Sequence, residues 1–252
     1  MIITARSNEK VKLLRRLIND KKERQSQDVY VAEGKTLLTE LPSSCPVSCF
    51  FLKSSLGSDG KKFSDKFPEA EIVVLSDDVF DTVSDTVSPS GVIAVIKRVH
   101  SHSIEGDTVV LMDGVSDAGN VGSIIRTASA RGIKTVICVH SCADPFSPKA
   151  VRASMGGIFK VNAWEEYAEK ALELLKDYRL IALDMNGVDI GKYETQAKRI
   201  VIAVGNEAHG LSDEIRKRAD DVVSLPMEEG GVESLNASVA AGIAMYMIKK
   251  GE

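Results

Sequence analysis

Three stretches of this sequence set polar side chains beside glycines just after short apolar runs. Open α/β sheets bind ligands outside the carboxyl ends of their strands, so these stretches are where chemistry is expected. The first, Asp113-Gly-Val-Ser-Asp-Ala-Gly-Asn-Val-Gly-Ser-Ile-Ile-Arg126, follows the apolar run 108–112. Its glycines permit a tight turn, and Asn120, Gly122 and Arg126 fall on adjacent turns of the helix expected after it. Arg126 adjoins Ile124 and Ile125, so it is either a helix-surface arginine or a charge offered to a ligand. The second, Gly205-Asn-Glu-Ala-His-Gly-Leu211, brackets Glu207 and His209 with glycines. Glu207 suits a hydrogen bond to an amine or hydroxyl, or else complements a helix N-terminus. His209 has the chemistry of a base near neutral pH, or is a plain loop residue. The third runs from Leu225 and Pro226 through Gly230-Gly231 to Ser234-Leu235-Asn236, read as the first turn of a helix reaching Lys249. Ser234 reads as its N-cap, and a polar helix start leaves N–H groups free for a ligand. Ala237, Ala240, Ala241, Gly242 and Ala244 leave room for another backbone to come close. The G-x-G-x-x-G spacing of dinucleotide sites is absent, and His140-Ser141-Cys142, not an acidic residue, follows the next strand. A nucleotide-dependent oxidoreductase is therefore disfavoured.

The elements that must hold these loops follow from periodicity. From Thr108 onward, strands are expected at 108–112, 134–139, 180–183, 200–204 and 222–225, and helices at 120–130, 148–155, 164–177 and 213–218. The 164–177 helix carries Trp164, Ala168, Ala171 and Leu175 on one face. Near-continuous apolar strands alternating with helices predict a mostly parallel sheet covered on both faces. Before Thr108 the pattern is shorter. Val11, Leu14, Leu17 and Ile18 predict an amphipathic helix over 8–19, and a second helix is expected over 35–41. Extended pieces are expected at 30–32, 49–52, 72–75 and 91–96, with the Ser/Asp/Lys-rich stretch 54–65 as a loop. We therefore expect a small α/β domain over residues 1–99, a polar linker over 100–107 and a larger α/β domain over 108–252.

Composition narrows the class. The 252 residues are 44% hydrophobic and 27% charged, typical of a soluble globular protein. No apolar run is long enough to span a bilayer, and the first ten residues hold no apolar signal core, so a cytoplasmic protein is expected. Cys45 with Cys49 and Cys138 with Cys142 are spaced too loosely for structural zinc and lack partners; reduced thiols and no metal are expected. His100 and His102 read as linker residues. The net charge of −4 is unevenly spread: residues 1–100 hold 15 basic and 14 acidic side chains, residues 101–252 hold 17 and 22. Between Arg6 and Arg24, eight basic residues face three acidic ones. Lys10, Lys12, Arg15 and Arg16 on the first helix could bind RNA phosphates by counterion release, or form a solvated face.

Taken together and in order, Asn120-x-Gly122-x3-Arg126, Gly205-Asn-Glu207-x2-Gly210-Leu and Leu225-Pro-Met-x4-Val-x-Ser234-Leu-Asn236 resemble the three motifs of the SpoU (TrmH) family of RNA ribose 2'-O-methyltransferases, within the SPOUT superfamily. The N-terminal part, with Asn8-Glu-Lys-Val-Lys12 and Val31-Ala-Glu-Gly-Lys35, resembles the ribosomal-protein-L30e-like RNA-binding domain that members often carry. The resemblance implies a trefoil-knotted C-terminal domain, with S-adenosylmethionine (SAM) held by Gly205, Leu225 and Leu235 and with Met227 nearby. It implies a methyl transfer to a ribose 2'-hydroxyl in which Arg126 activates the hydroxyl and Asn120, Glu207, Ser234 and Asn236 fix geometry. It further implies a homodimer acting on RNA, ribosomal RNA in the first place. A tRNA enzyme, or a non-catalytic RNA-binding protein that keeps the knot, is the alternative. The loop with Glu228, Glu229 and Glu233 is more acidic than the family's common form.

Overall fold

The computed structural model describes residues 1–228, 230–232 and 234–251. Glu229 and Glu233 of the acidic loop, and the terminal Glu252, lie outside the described residues. The chain divides into two compact units, one of Met1–His100 with Phe146–Arg152 and one of Ser101–Pro145 with Ala153–Glu252.

In the first unit, α1 (Glu9–Asn19) buries the expected Val11, Leu14, Leu17 and Ile18, with Asn8 capping its start. A short α2 (Lys21–Ser26) follows. Its Arg24, counted in sequence with the basic face, is instead buried and donates to the Leu17 and Ile18 carbonyls at the end of α1. A five-stranded sheet is built from β1 (Ile2–Ile3), β2 (Val29–Glu33), β3 (Val47–Lys53), β4 (Glu71–Leu75) and β5 (Val92–Lys97), in the order β1-β4-β3-β5-β2. The pairs β1–β4 and β3–β4 are parallel, the pairs to β5 antiparallel. Helices α3 (Lys35–Thr39) and α5 (Asp77–Asp81) are short.

The expected loop over 54–65 is wrong. Ser54–Leu56 is a 3-10 turn and Ser58–Lys66 is a helix, α4. The polar composition hid two aromatic anchors, Phe63 and Phe67, whose rings lie 5.3 and 5.6 Å from that of Phe50. Phe63 in the last turn of α4 and Phe67 at its C-cap pack against the same ring, and burying them outweighs weak intrinsic propensity. The segment Phe146–Arg152 is held within the first unit: the Phe146 ring lies 5.2 Å from that of Tyr30 and 4.3 Å from the Arg98 guanidinium, and Arg152 pairs with Asp85 at 2.7 Å.

The second unit is organised on a six-stranded sheet. Its strands are β6 (Thr108–Asp113), β7 (Thr135–Val139), β8 (Asn162–Glu165), β9 (Arg179–Asp189), β10 (Ile200–Val204) and β11 (Asp221–Ser224), in the order β11-β9-β10-β6-β7-β8. Every pair is parallel, as the apolar runs predicted. Alternate residues such as Val109, Leu111, Leu180 and Val201 join one core with α8 (Ala168–Leu174) and with Ile215 of α9 (Asp213–Arg218). The intervening Val110, Met112, Ile181 and Ile202 are buried on the other face, where α6 (Ala118–Arg131) and α10 (Ala237–Met247) pack together. Helix α7 (Pro148–Ala153) lies in the segment between β7 and β8.

Among the boundaries that differ from expectation, two bear on the core and the site. Trp164 belongs to strand β8, paired with Ile137, and the helix begins only at Ala168. Trp164, Ala168, Ala171 and Leu175 all enter the same core, so their helical spacing spans a strand-to-helix junction. Asn236, not Ser234, caps α10, which begins at Ala237.

Candidate active site

Each of the three loops is held by its own local chemistry. After β6, the Asp117 side chain accepts from the Asn120 N–H at 2.9 Å and starts α6, and Gly132, at φ 78°, ends it. After β10, Asn206 and Gly210 exchange two backbone hydrogen bonds of 2.9 Å, closing a tight loop. Gly205 is required there, because a Cβ on it would lie 2.3 Å from the Gly210 carbonyl carbon. The same loop is pinned to the end of β6 twice: Asn206 Nδ2 donates to the Gly114 carbonyl at 2.8 Å, and the Ser212 N–H donates to the buried Asp113 carboxylate at 2.6 Å. Asp113 also meets His140 Nδ1 at 2.7 Å. Beside it, Cys142 Sγ lies 3.2 Å from the Met112 carbonyl. A hydrogen bond between the two thiols raises that of Cys138 well above, and holds that of Cys142 below, the ordinary cysteine range.

The third loop meets the second around a cavity of about 480 Å³. Gly205, Leu225, Met227 and Leu235, the four residues expected at the cofactor, all line it, and so do Glu207 and Ser234. Sequence reading missed one wall. Strand β9 pairs with β11 through Ala182 and resumes at Val188, so the residues between them leave the ladder. Leu183, Asp184, Met185 and Asn186 of that excursion face the cavity, with Asp184 paired to Arg216 at 3.0 Å. Gly187 lets the excursion close, since a Cβ there would lie 2.5 Å from the Val223 backbone. The Asn186-Gly187 dipeptide is a turn signal that could have revealed it. His209, read as a loop residue, also lines the cavity.

A chain of hydrogen bonds joins one residue from each loop. Asn236 Nδ2 donates to Asn120 Oδ1 at 2.9 Å, and Asn120 Nδ2 donates to Glu207 Oε1 at 2.5 Å. Its direction is fixed at both ends. A carboxylate only accepts, so the Asn120 amide nitrogen must face Glu207. The backbone N–H groups of Ser238 and Val239 only donate, so Asn236 must turn its oxygen to them and its nitrogen to Asn120. Arg126 stands six residues along α6 from Asn120, about 1.7 turns; its side chain is exposed and makes no hydrogen bond or ion pair to any described residue. Ser234 is exposed as well. Lys10, Lys12, Arg15 and Arg16 belong to the first unit, where Lys10 pairs with Glu71, Lys12 with Glu9 at 2.8 Å and Arg16 with Glu23 at 3.6 Å, while Arg15 donates to Thr82. Among the described residues, no group of three or more His, Cys, Asp and Glu side chains is arranged to hold a metal ion, and no helix is long and apolar enough to cross a membrane.

Compared with known families, residues 107–246 match the model of the SpoU rRNA methylase family. The chain belongs to the SpoU rRNA methylase family. Residues 8–94 match an MRM3-like substrate binding domain. Among SpoU relatives, the 23S rRNA (guanosine(2553)-2'-O)-methyltransferase RlmP of Bacillus subtilis is 29% identical over 250 residues, covering 98% of both chains. The 23S rRNA (adenosine(1067)-2'-O)-methyltransferase of Streptomyces laurentii is 36% identical over 148 residues, 57% of this chain and 54% of that protein. The AdoMet-bound rRNA methyltransferase from Sinorhizobium meliloti superposes with a TM-score of 0.87 at 28% identity, covering 98% of this chain and 96% of that one. The SpoU match spans β6 to α10 and so contains all three loops.

Proposed function

We propose that this protein transfers a methyl group from SAM to a ribose 2'-hydroxyl of ribosomal RNA. Residues 1–99 bind RNA, 100–107 link, and 108–252 form the methyltransferase domain, working as a homodimer. The observation that carries this reading is the Asn236–Asn120–Glu207 chain beside a cavity that collects all four expected cofactor residues.

The cavity suits the cofactor. Its volume lies in the range of small-molecule sites, roughly 300–1,000 Å³. Apolar walls from Val204, Leu225, Leu235, Ala237 and Ala240 suit an adenine ring, and Asp184, Asn186 and Glu207 offer polar groups to a ribose and an amino-acid end. Bound there, SAM supplies a methyl already activated on a sulfonium. The protein's task is then the hydroxyl, a poor nucleophile until its proton passes to solvent water. An arginine stays protonated, so Arg126 acts as a charge that stabilises the developing alkoxide and an adjacent phosphate. Asn120, Glu207, Ser234 and Asn236 hold geometry, and holding reactants in line lowers the barrier substantially.

The expected trefoil knot also finds support here. Strand β11 is at one sheet edge, yet α10 packs on α6 and on β10. The β9 excursion, the 205–210 loop and residues Leu225, Ser234 and Leu235 line one cavity. The complete set of Asn120, Arg126, Glu207, Ser234 and Asn236 argues against a non-catalytic binder.

Calorimetry should show SAM binding that Leu235→Arg weakens; no binding to the wild-type protein under any condition rejects the reading. Arg126→Ala should abolish transfer while SAM still binds. Mapping ribose methylation in total RNA with and without the gene then identifies the nucleotide, and a lost mark in tRNA rather than ribosomal RNA would move the substrate to that class.

A further inference from the structure

We infer that Gly157 is a positioning residue for Arg126. The inference rests on Arg126 acting at the ribose. After α7 the chain passes Met155 and Gly156 with φ of 46° and 88°, two successive left-handed residues, into the 3-10 turn Gly157–Phe159. Left-handed geometry at a non-glycine residue is strained and persists only where the surroundings impose it. The turn is tied by the Gly157 N–H to the Ser154 carbonyl at 2.9 Å, and the Gly157 carbonyl accepts from Lys160 and Val161.

What the turn achieves is a close approach to α6 at one place. A Cβ on Gly157 would lie 3.0 Å from Arg126 Cα, 3.0 Å from the Ile125 carbonyl oxygen and 3.2 Å from the Arg126 nitrogen. All three are backbone atoms, which cannot rotate aside. Ile124, Ile125 and Ala128 are fully buried on the underside of the helix, so α6 has no slack in which to retreat. The depth at which α6 sits at Arg126 is therefore set by the missing side chain of Gly157. By contrast, Gly132 at the end of α6 has no atom within 4 Å of its would-be Cβ and needs glycine only for its φ of 78°.

Methyl-transfer kinetics on Gly157→Ala test this. A displacement of a few tenths of an ångström at a reacting group lowers kcat by about tenfold, with KM for RNA and the SAM dissociation constant unchanged. Gly132→Ala, which strains the same helix away from Arg126, should lose thermal stability and keep kcat. In an Arg126→Lys background, Gly157→Ala should add less than it does alone. Wild-type kcat in Gly157→Ala, or equal kcat losses in Gly157→Ala and Gly132→Ala, would overturn the inference. Should Gly157→Ala not fold, Met155→Val takes its place: a β-branched residue shifts the same turn, the same kcat loss is expected, and an unchanged kcat rejects the inference. Arg126→Ala, assayed alongside, separates the two ideas. If it retains transfer, the reading of Arg126 fails; if it is inactive while Gly157→Ala is normal, only the role of Gly157 fails.

Discussion

Asn236 does two jobs that substitution can separate. It caps α10 by accepting from Ser238 and Val239, and it donates to Asn120. Asn236→Ala should lose both, costing about 1 kcal/mol of stability for the cap alone and lowering methyl transfer. Asn236→Asp keeps the cap but has no proton for Asn120, so thermal denaturation should be near wild type while transfer falls. Equal activity in the Asn236→Asp variant and the wild-type protein would show the chain to be structural only. The three residues of this chain were legible as separate polar positions in glycine-containing loops. Their mutual hydrogen bonds were not, because they lie 87 and 116 positions apart.

At the scale of elements, the small residues of α10 mean less than their spacing suggests. A Cβ on Gly242 would find only Thr127 Cγ2 at 3.8 Å, ordinary contact. Gly242→Ala should therefore fold and gain up to about 1 kcal/mol from helix propensity, read as a higher Tm. The tight approaches lie in loops instead, at Gly205 and Gly187. Gly205→Ala should cost on the order of 3 kcal/mol or prevent folding, since backbone must move to admit the methyl group. Strands β6, β7, β9, β10 and β11 were legible because each carries an apolar run, short in β9 (180–183) and β11 (Val222 and Val223). Helix α4 and the start of α8 were not: one hides two phenylalanines among lysines and serines, and the other shares its core face with a neighbouring strand.

For the whole molecule, charge is the property most open to test. Lys10, Lys12 and Arg16 of α1 are paired at the surface, and exposed pairs are weak, so phosphates can displace their acidic partners. Replacing Lys12, Arg15 and Arg16 together by alanine should reduce the slope of log affinity for RNA against log salt by up to about 3; an unchanged slope rejects that surface. The first unit should also respond to alkali. Burial pushes the Cys45 thiol up to about 11 and the Cys49 thiol up to about 12, against 9.0 when free. The folded state thus favours the protonated thiols, so their contribution is complete below pH 9 and is lost as pH rises through 11 to 12. Thermal unfolding followed from pH 8 upward should show the decline, and Cys49→Ala should blunt it. The sequence by itself determined the parallel sheet, the order of the three motifs and the family, because these depend on local apolar runs and on residue types at short spacing. Only the tertiary structure decided the β9 excursion that walls the cavity, the direction of the Asn236–Asn120–Glu207 chain and the contact of Gly157 with Arg126. Each of those depends on which distant backbones come within a few ångströms, and periodicity along a chain carries no record of that.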